Sequence, residues 1–157
     1  MRLSTLFFSI TLATTVAAGT TVAVAQGQAA APARIASPDG RSVAEVRPRA
    51  TGGDALWVSG ARVWPQDTGR ADVVTGAPRW SRSGDAVALL AREKTTTRLV
   101  VVLVRGDAAG QVLEWAVPPA AQPAKVITWI DAHRVSVGER EMEPKMVASF
   151  GTSVASR

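Results

Sequence analysis

The side chains able to do chemistry are few and do not converge. His133 is the only histidine, and there is no cysteine. A lone imidazole without cysteines or clustered carboxylates makes a poor zinc site. Asp131-Ala132-His133-Arg134 has the polar composition of a turn, which is where His133 is placed. Ser81 and Ser83 lie beside Gly84, but Trp80-Ser81-Arg82-Ser83-Gly84 is not the Gly-x-Ser-x-Gly elbow that exposes a nucleophile at a strand-to-helix turn. Glu139, Glu141 and Glu143 alternate. On an extended chain that spacing sets three carboxylates on one face, suited to weak Ca2+ binding or acid–base work. With Arg140 and Lys145 among them, the simpler account is a solvated charged edge. Trp57 and Trp64 are amphipathic: buried they cover a sheet, exposed they anchor a partner or stack on a sugar ring. No Gly-rich phosphate loop or dinucleotide fingerprint is present. The sequence thus predicts no catalytic residue, metal ligand or cofactor. It leaves Trp57, Trp64, Glu139, Glu141 and Glu143 as candidate partner or ligand contacts.

The elements that must position these residues are strands. Ser42 to Arg47 alternates, with Val43 and Glu45 on one face and Ala44 and Val46 on the other. Ser59-Gly60 between Ala55–Val58 and Ala61–Trp64 is a two-residue hairpin signal, and Pro65 ends the second strand. Ala71–Val74 reads as a short edge strand. From Pro78 to Pro118 the pattern is strand, tight turn and three further strands: Arg79-Trp80, Ala86–Ala91, Leu99–Val104 and Val112–Val117. Arg92 to Thr97 is the expected hairpin loop, and Gly106 to Gly110 the next turn. Leu99–Val104 is apolar on both faces, which predicts a central strand covered on both sides; Arg98 and Arg105 guard it against self-pairing. Pro118 to Pro123 is a linker, followed by strands at Val126–Ile130, Val135–Val137 and Lys145–Phe150. Beyond the first 25 residues nothing patterns as a helix of ten residues or more, so the fold class is all-β.

The N-terminus reads as an address. Met1-Arg2, a short apolar run from Leu3 to Ala18 and the small-x-small ending Ala23-Val24-Ala25 are the three parts of a secretory signal peptide. Cleavage is expected after Ala25, with Ala18 as the alternative, leaving no membrane span. Residues 26–33 form an Ala/Pro/Gln leader, and 34–157 a single domain of about 125 residues, enough for one core. Without cysteine neither a lipid-anchored cysteine nor a disulfide can form, which suits a bacterial periplasmic or secreted protein. The formal net charge is +5, but the arginines are spread out with no basic run. With no tyrosine to supply stacking platforms, nucleic acid is not an expected partner.

An internal repeat sharpens the fold. Ser37-Pro38-Asp39-Gly40-Arg41-Ser42-Val43-Ala44 aligns with Ser81-Arg82-Ser83-Gly84-Asp85-Ala86-Val87-Ala88, and Trp80-Ser81 aligns with Trp129-Ile130. At these residues the chain resembles the TolB-type (WD-like) β-propeller repeat, whose blade carries Trp-Ser-Pro-Asp-Gly before a small-apolar strand. The first copy has Ser-Pro-Asp-Gly without the Trp. The second has Trp-Ser, then Arg-Ser-Gly-Asp in place of Pro-Asp-Gly, and the third keeps only Trp and Asp. The resemblance implies about three blade-like repeats of antiparallel sheet, with the Trp and Asp-Gly as packing and turning devices. A closed propeller of even four blades needs roughly 160 residues. The expectation is therefore an open or partial propeller, completed with another chain or not, with a two-sheet sandwich as the alternative. The function expected is a non-enzymatic protein–protein interaction module of the cell envelope, binding another envelope protein or itself. The alternative is a small-ligand or glycan binder acting through exposed tryptophans.

Overall fold

The computed structural model describes residues 33–105, 108–141 and 143–151. The predicted signal peptide and residues 26–32 of the leader lie outside the described residues. Among the described residues twelve strands form three antiparallel sheets, in chain order. The first contains β1 (Arg34–Ala36), β2 (Val43–Pro48), β3 (Asp54–Val58) and β4 (Ala61–Trp64) as a meander. In the middle sheet β7 (Ala86–Glu93), β8 (Thr96–Arg105) and β9 (Ala108–Ala116) follow one another, while β5 (Val73–Val74) and β6 (Arg79–Trp80) share the outer edge of β7. The third holds β10 (Val126–Trp129), β11 (Arg134–Gly138) and β12 (Pro144–Ser149).

Burial explains the order of the layers. Val87, Leu89, Ala91, Val100, Val102 and Val104 face the first sheet, meeting Ala44, Leu56, Val58 and Trp64. The alternate residues Ala86, Ala88, Leu90, Leu99 and Val101 face the third, meeting Ile127, Val135, Val137, Ala148 and Phe150. Leu99–Val104 is apolar on both faces because its sheet is covered on both, as expected. Each fully buried Leu or Val contributes about 1.5–3 kcal/mol of transfer free energy. No strand of the first sheet pairs with one of the third, so the described residues form an open stack of three layers. A two-sheet sandwich is set aside.

The turns match the sequence logic and show the repeat in hydrogen bonds. Ser59 (φ 48°) and Gly60 (φ 84°) both take left-handed conformations, as a tight hairpin following the strand twist requires. In the first repeat Ser37 N–H donates to Ser42 O (2.8 Å) and Ser42 N–H donates to Ser37 Oγ (2.9 Å). In the second, Ser81 N–H donates to Ala86 O (2.8 Å) and Ala86 N–H donates to Ser81 Oγ (3.1 Å). The tryptophans join neighbouring sheets at matching places. Trp80 Nε1–H donates to Ile35 O of the first sheet (2.9 Å), and Trp129 Nε1–H donates to Arg79 O of the middle sheet (3.0 Å). The ladder partners of those carbonyl residues are Ala44 and Ala88, small and fully buried, which lets each indole approach.

Three expectations change. The loop 92–97 shrinks to a turn at Lys94-Thr95, because β7 and β8 stay paired through Glu93↔Thr96. β-branched Thr96 and Thr97 favour that pairing, and Arg98 meets Glu93 at 3.4 Å. β9 begins earlier than Val112. The linker 118–123 contains a 3-10 turn at Pro119–Ala121 that buries Ala121.

Candidate functional site

Trp64 is fully buried, which corrects its place among the contact residues: it belongs to the core between the first and middle sheets. Its indole N–H donates to Glu114 Oε1 on β9 at 2.7 Å. The same carboxylate accepts two bonds from Arg70 Nη1 (2.9 Å each), and Arg70 grips Asp72 through Nε (2.7 Å) and Nη2 (3.1 Å). Asp72 is fully buried. Burial pulls the Arg70 pKa down, and the Asp72 and Glu114 carboxylates more than reverse it, so Arg70 stays charged. This cluster ties β4 and the segment before β5 to β9. Each of its carboxylates is spent on a structural bond.

Trp57 faces the opposite way. Cross-strand register places Arg34 beside Glu45, Glu45 beside Trp57 and Trp57 beside Arg62, one residue from each of β1 to β4, on the face turned away from the middle sheet. A β-bulge between Leu56 and Trp57 makes this row: Leu56 pairs with Trp64, yet Trp57 pairs with Arg62, skipping Val63. Arg47, two residues along β2, donates to Glu45 Oε2 at 2.7 Å and lies 4.7 Å over the Trp57 ring. The Arg47 hydrogen bond holds the Glu45 carboxyl below its ordinary range. Arg34, Glu45, Arg47 and Trp57, together with Arg41, Val43 and Ser59, line a shallow depression of about 340 Å3, with Arg62 beside Trp57 in the ladder.

The three glutamates do not share a strand face. The chain turns after Gly138, where Glu143 N–H donates to Arg140 O (3.3 Å), so Glu139 and Glu141 occupy that turn and Glu143 precedes β12. The alternation therefore does not align them, correcting the extended-chain geometry. Glu139 meets Lys145 at 3.7 Å, and all three carboxylates are exposed at the start of β12. Among the described residues this sheet has no fourth strand beyond β12. On β9 nearby, Leu113 and Trp115 are only partly buried, with Trp115 6.3 Å from Phe150. Phe150 N–H donates to His133 O (2.9 Å), which sets the phase of the β11–β12 ladder. Met146 and Ala148 then bond β11, while Val147 and Ser149 direct their backbone groups to the free edge.

The turn residues serve the backbone. Ser81 is buried and its hydroxyl donates to Asp85 (2.8 Å). His133 lies in the predicted turn, and its backbone N–H donates to Asp131 (2.8 Å). His133 and Asp85 line one depression of about 120 Å3, but no hydrogen bond joins them. A recess of about 530 Å3 lies between Arg82-Ser83 and Trp129–Ala132; its carboxylate, Asp131, is bound by His133 N–H and by Arg134 (2.6 Å). Among the described residues no group of three or more His, Asp or Glu could hold a metal ion. No helix among them is long and apolar enough to cross a membrane. Sequence reasoning missed the Arg34–Glu45–Trp57–Arg62 row and the Arg70 cluster. The parity of Val43 and Glu45 was the one available sign of the first, and nothing local marked the second. No protein-family model, curated protein or solved structure matches the chain.

Proposed function

We propose that this is an exported, non-enzymatic protein-binding module, and that its partner adds a strand to the free edge of β12. The observation carrying the reading is the mismatch in sheet width. The first sheet has a fourth strand, β4, whose Trp64 packs toward β9, while the third ends at β12. A strand added there would meet the backbone groups of Val147 and Ser149 and cover the half-buried Leu113 and Trp115. Pro144 and Lys145 blunt the start of this edge in the manner of natural edge strands, but Met146–Ser149 carries no proline and no charge. Glu139, Glu141 and Glu143 surround that start, favouring a partner strand with basic residues at the facing end. Export is supported by the signal-peptide pattern of residues 1–25 and the lack of cysteine. A non-enzymatic role is supported by the way Ser81, Asp72 and Glu114 are used up in structural bonds. The blade-like reading is supported by the matched turns at Ser37 and Ser81.

Val147→Pro tests the proposal. Proline removes the outward N–H and leaves the Met146 and Ala148 bonds to β11 in place. A protein retained from envelope extract by the wild type and released by Val147→Pro, with melting unchanged, is the expected result. Equal retention by both, or none by the wild type, refutes it.

A further inference from the structure

The free face of the first sheet is backed by the core, to which the other faces of β2, β3 and β4 supply Ala44, Leu56, Val58 and Trp64. It presents Arg34, Arg41, Arg47 and Arg62 around Trp57. Two carboxylates lie nearby: Glu45, bonded to Arg47, and Asp39, 3.8 Å from Arg41. Arg34 and Arg62 make no ion pair among the described residues, and both are exposed. The face thus combines an excess of planar guanidinium donors, one of them fixed on an indole, with a shallow open trough.

We propose that this face binds an acidic polysaccharide chain, with Arg34 and Arg62 pairing its anionic groups and Trp57 flanked by Arg47 packing against a sugar ring. Guanidinium forks match carboxylate and phosphate oxygens in pairs, and an indole offers an apolar body with a polar edge. A bilayer surface would call for apolar side chains to insert, but the exposed large apolar residues lie elsewhere: Val73 and Val147 on strands of the other two sheets and Ile130 just after β10. Single-stranded nucleic acid would call for a succession of stacking platforms, whereas Trp57 is the one aromatic side chain among the residues of this row and trough. The site lies on the first sheet, apart from the β12 edge, so either can fail without the other.

The test is affinity electrophoresis of the whole mature chain through gels containing polygalacturonate, with dextran as the neutral control. The wild type is retarded by polygalacturonate alone. Arg34→Gln with Arg62→Gln weakens retardation at least about tenfold, and Trp57→Ala weakens it as well. Arg82→Gln with Arg92→Gln removes the same charge from the middle-sheet region, at two exposed positions, and leaves retardation within about twofold. Equal losses in the two double variants would reduce the effect to net charge and overturn the proposal. Equal retardation by dextran overturns it too. So does sedimentation with phosphatidylglycerol vesicles that Arg34→Gln with Arg62→Gln abolishes, since the face would then be a membrane contact.

Discussion

Replacing Trp64 separates a core role from a binding role by size of effect. The side chain is fully buried between two sheets, and its N–H is bonded to Glu114 at 2.7 Å. Trp64→Ala removes a large core side chain at a cost of about 3–5 kcal/mol. Against a total stability of about 5–15 kcal/mol, that removes between about a fifth and all of it. At about 3–6 °C per kcal/mol for a domain of this size, melting falls by 10 °C or more. Trp64→Phe keeps most of the apolar volume and loses the hydrogen bond, for about 1–2 kcal/mol. Trp57→Ala removes a half-buried ring and its contact with Arg47, for about 1 kcal/mol. Urea titration followed by far-UV circular dichroism suits all three, since indole fluorescence changes with the substitutions themselves. A constant m-value keeps the comparison in the native state. If Trp64→Ala unfolds within about 1 kcal/mol of wild type, or Trp57→Ala costs more than Trp64→Ala, the assignment of Trp64 to the core is wrong.

Three further outcomes follow from the same structure. Glu114→Gln keeps an acceptor for Trp64 but takes a charge and an acceptor from Arg70; both groups are partly exposed, so urea titration should show a loss of about 1–2 kcal/mol. Gly53→Ala should cost at least about 2 kcal/mol in the same assay, since φ is +74° and an added Cβ would lie 2.7 Å from the backbone carbon of Ala71. Acid sensitivity has a defined sign: the Ser37 hydroxyl lowers Asp39, Arg47 lowers Glu45, and the His133 N–H followed by Arg134 lowers Asp131. Their contributions are complete above the ordinary values of 3.8 and 4.5 and are lost as pH falls through the lower folded values, so their share of the stability is expected to go as a fall in melting temperature below pH 4.5.

What the sequence made legible was decided locally. Ser59-Gly60 announces its hairpin because two adjacent left-handed residues follow from turn chemistry. Leu99–Val104 announces a covered central strand because both parities are apolar. The Trp64 environment depends on Glu114, fifty residues away, and periodicity carries no information about such a partner. The Arg34–Glu45–Trp57–Arg62 row was hidden for a related reason. Alternation gives parity within each strand, but which residues stand side by side depends on register. Here a bulge at Leu56-Trp57 brings Arg62 beside Trp57. The misjudged loop at 92–97 has a local cause: polar composition suggested a break, and the β7–β8 hairpin ladder continues to Glu93↔Thr96, leaving a two-residue turn.

The two tryptophan bonds between sheets also bear on how the stack can grow. Each joins an indole of one sheet to a carbonyl of the sheet before it, opposite a small alanine: Trp80 to Ile35 beside Ala44, and Trp129 to Arg79 beside Ala88. In the first sheet the residue following Ile35 is Ala36, so that sheet carries no indole at the matching place for an earlier layer. In the third sheet the matching carbonyl is Thr128 O, and its ladder partner is Ser136 in place of alanine. The Ser136 hydroxyl donates to that carbonyl at 3.2 Å, supplying the bond that an incoming indole would make. Face-to-face extension by the same device therefore meets an already bonded carbonyl and no facing alanine at the third sheet, and lacks its donor at the first. What remains open among the described residues is different in kind at each end: an unpaired strand edge at β12 and an arginine-rich face on β1 to β4. The bonds that repeat hold the layers together, and the two places where the repeat stops are the surfaces to which we assign the proposed partners.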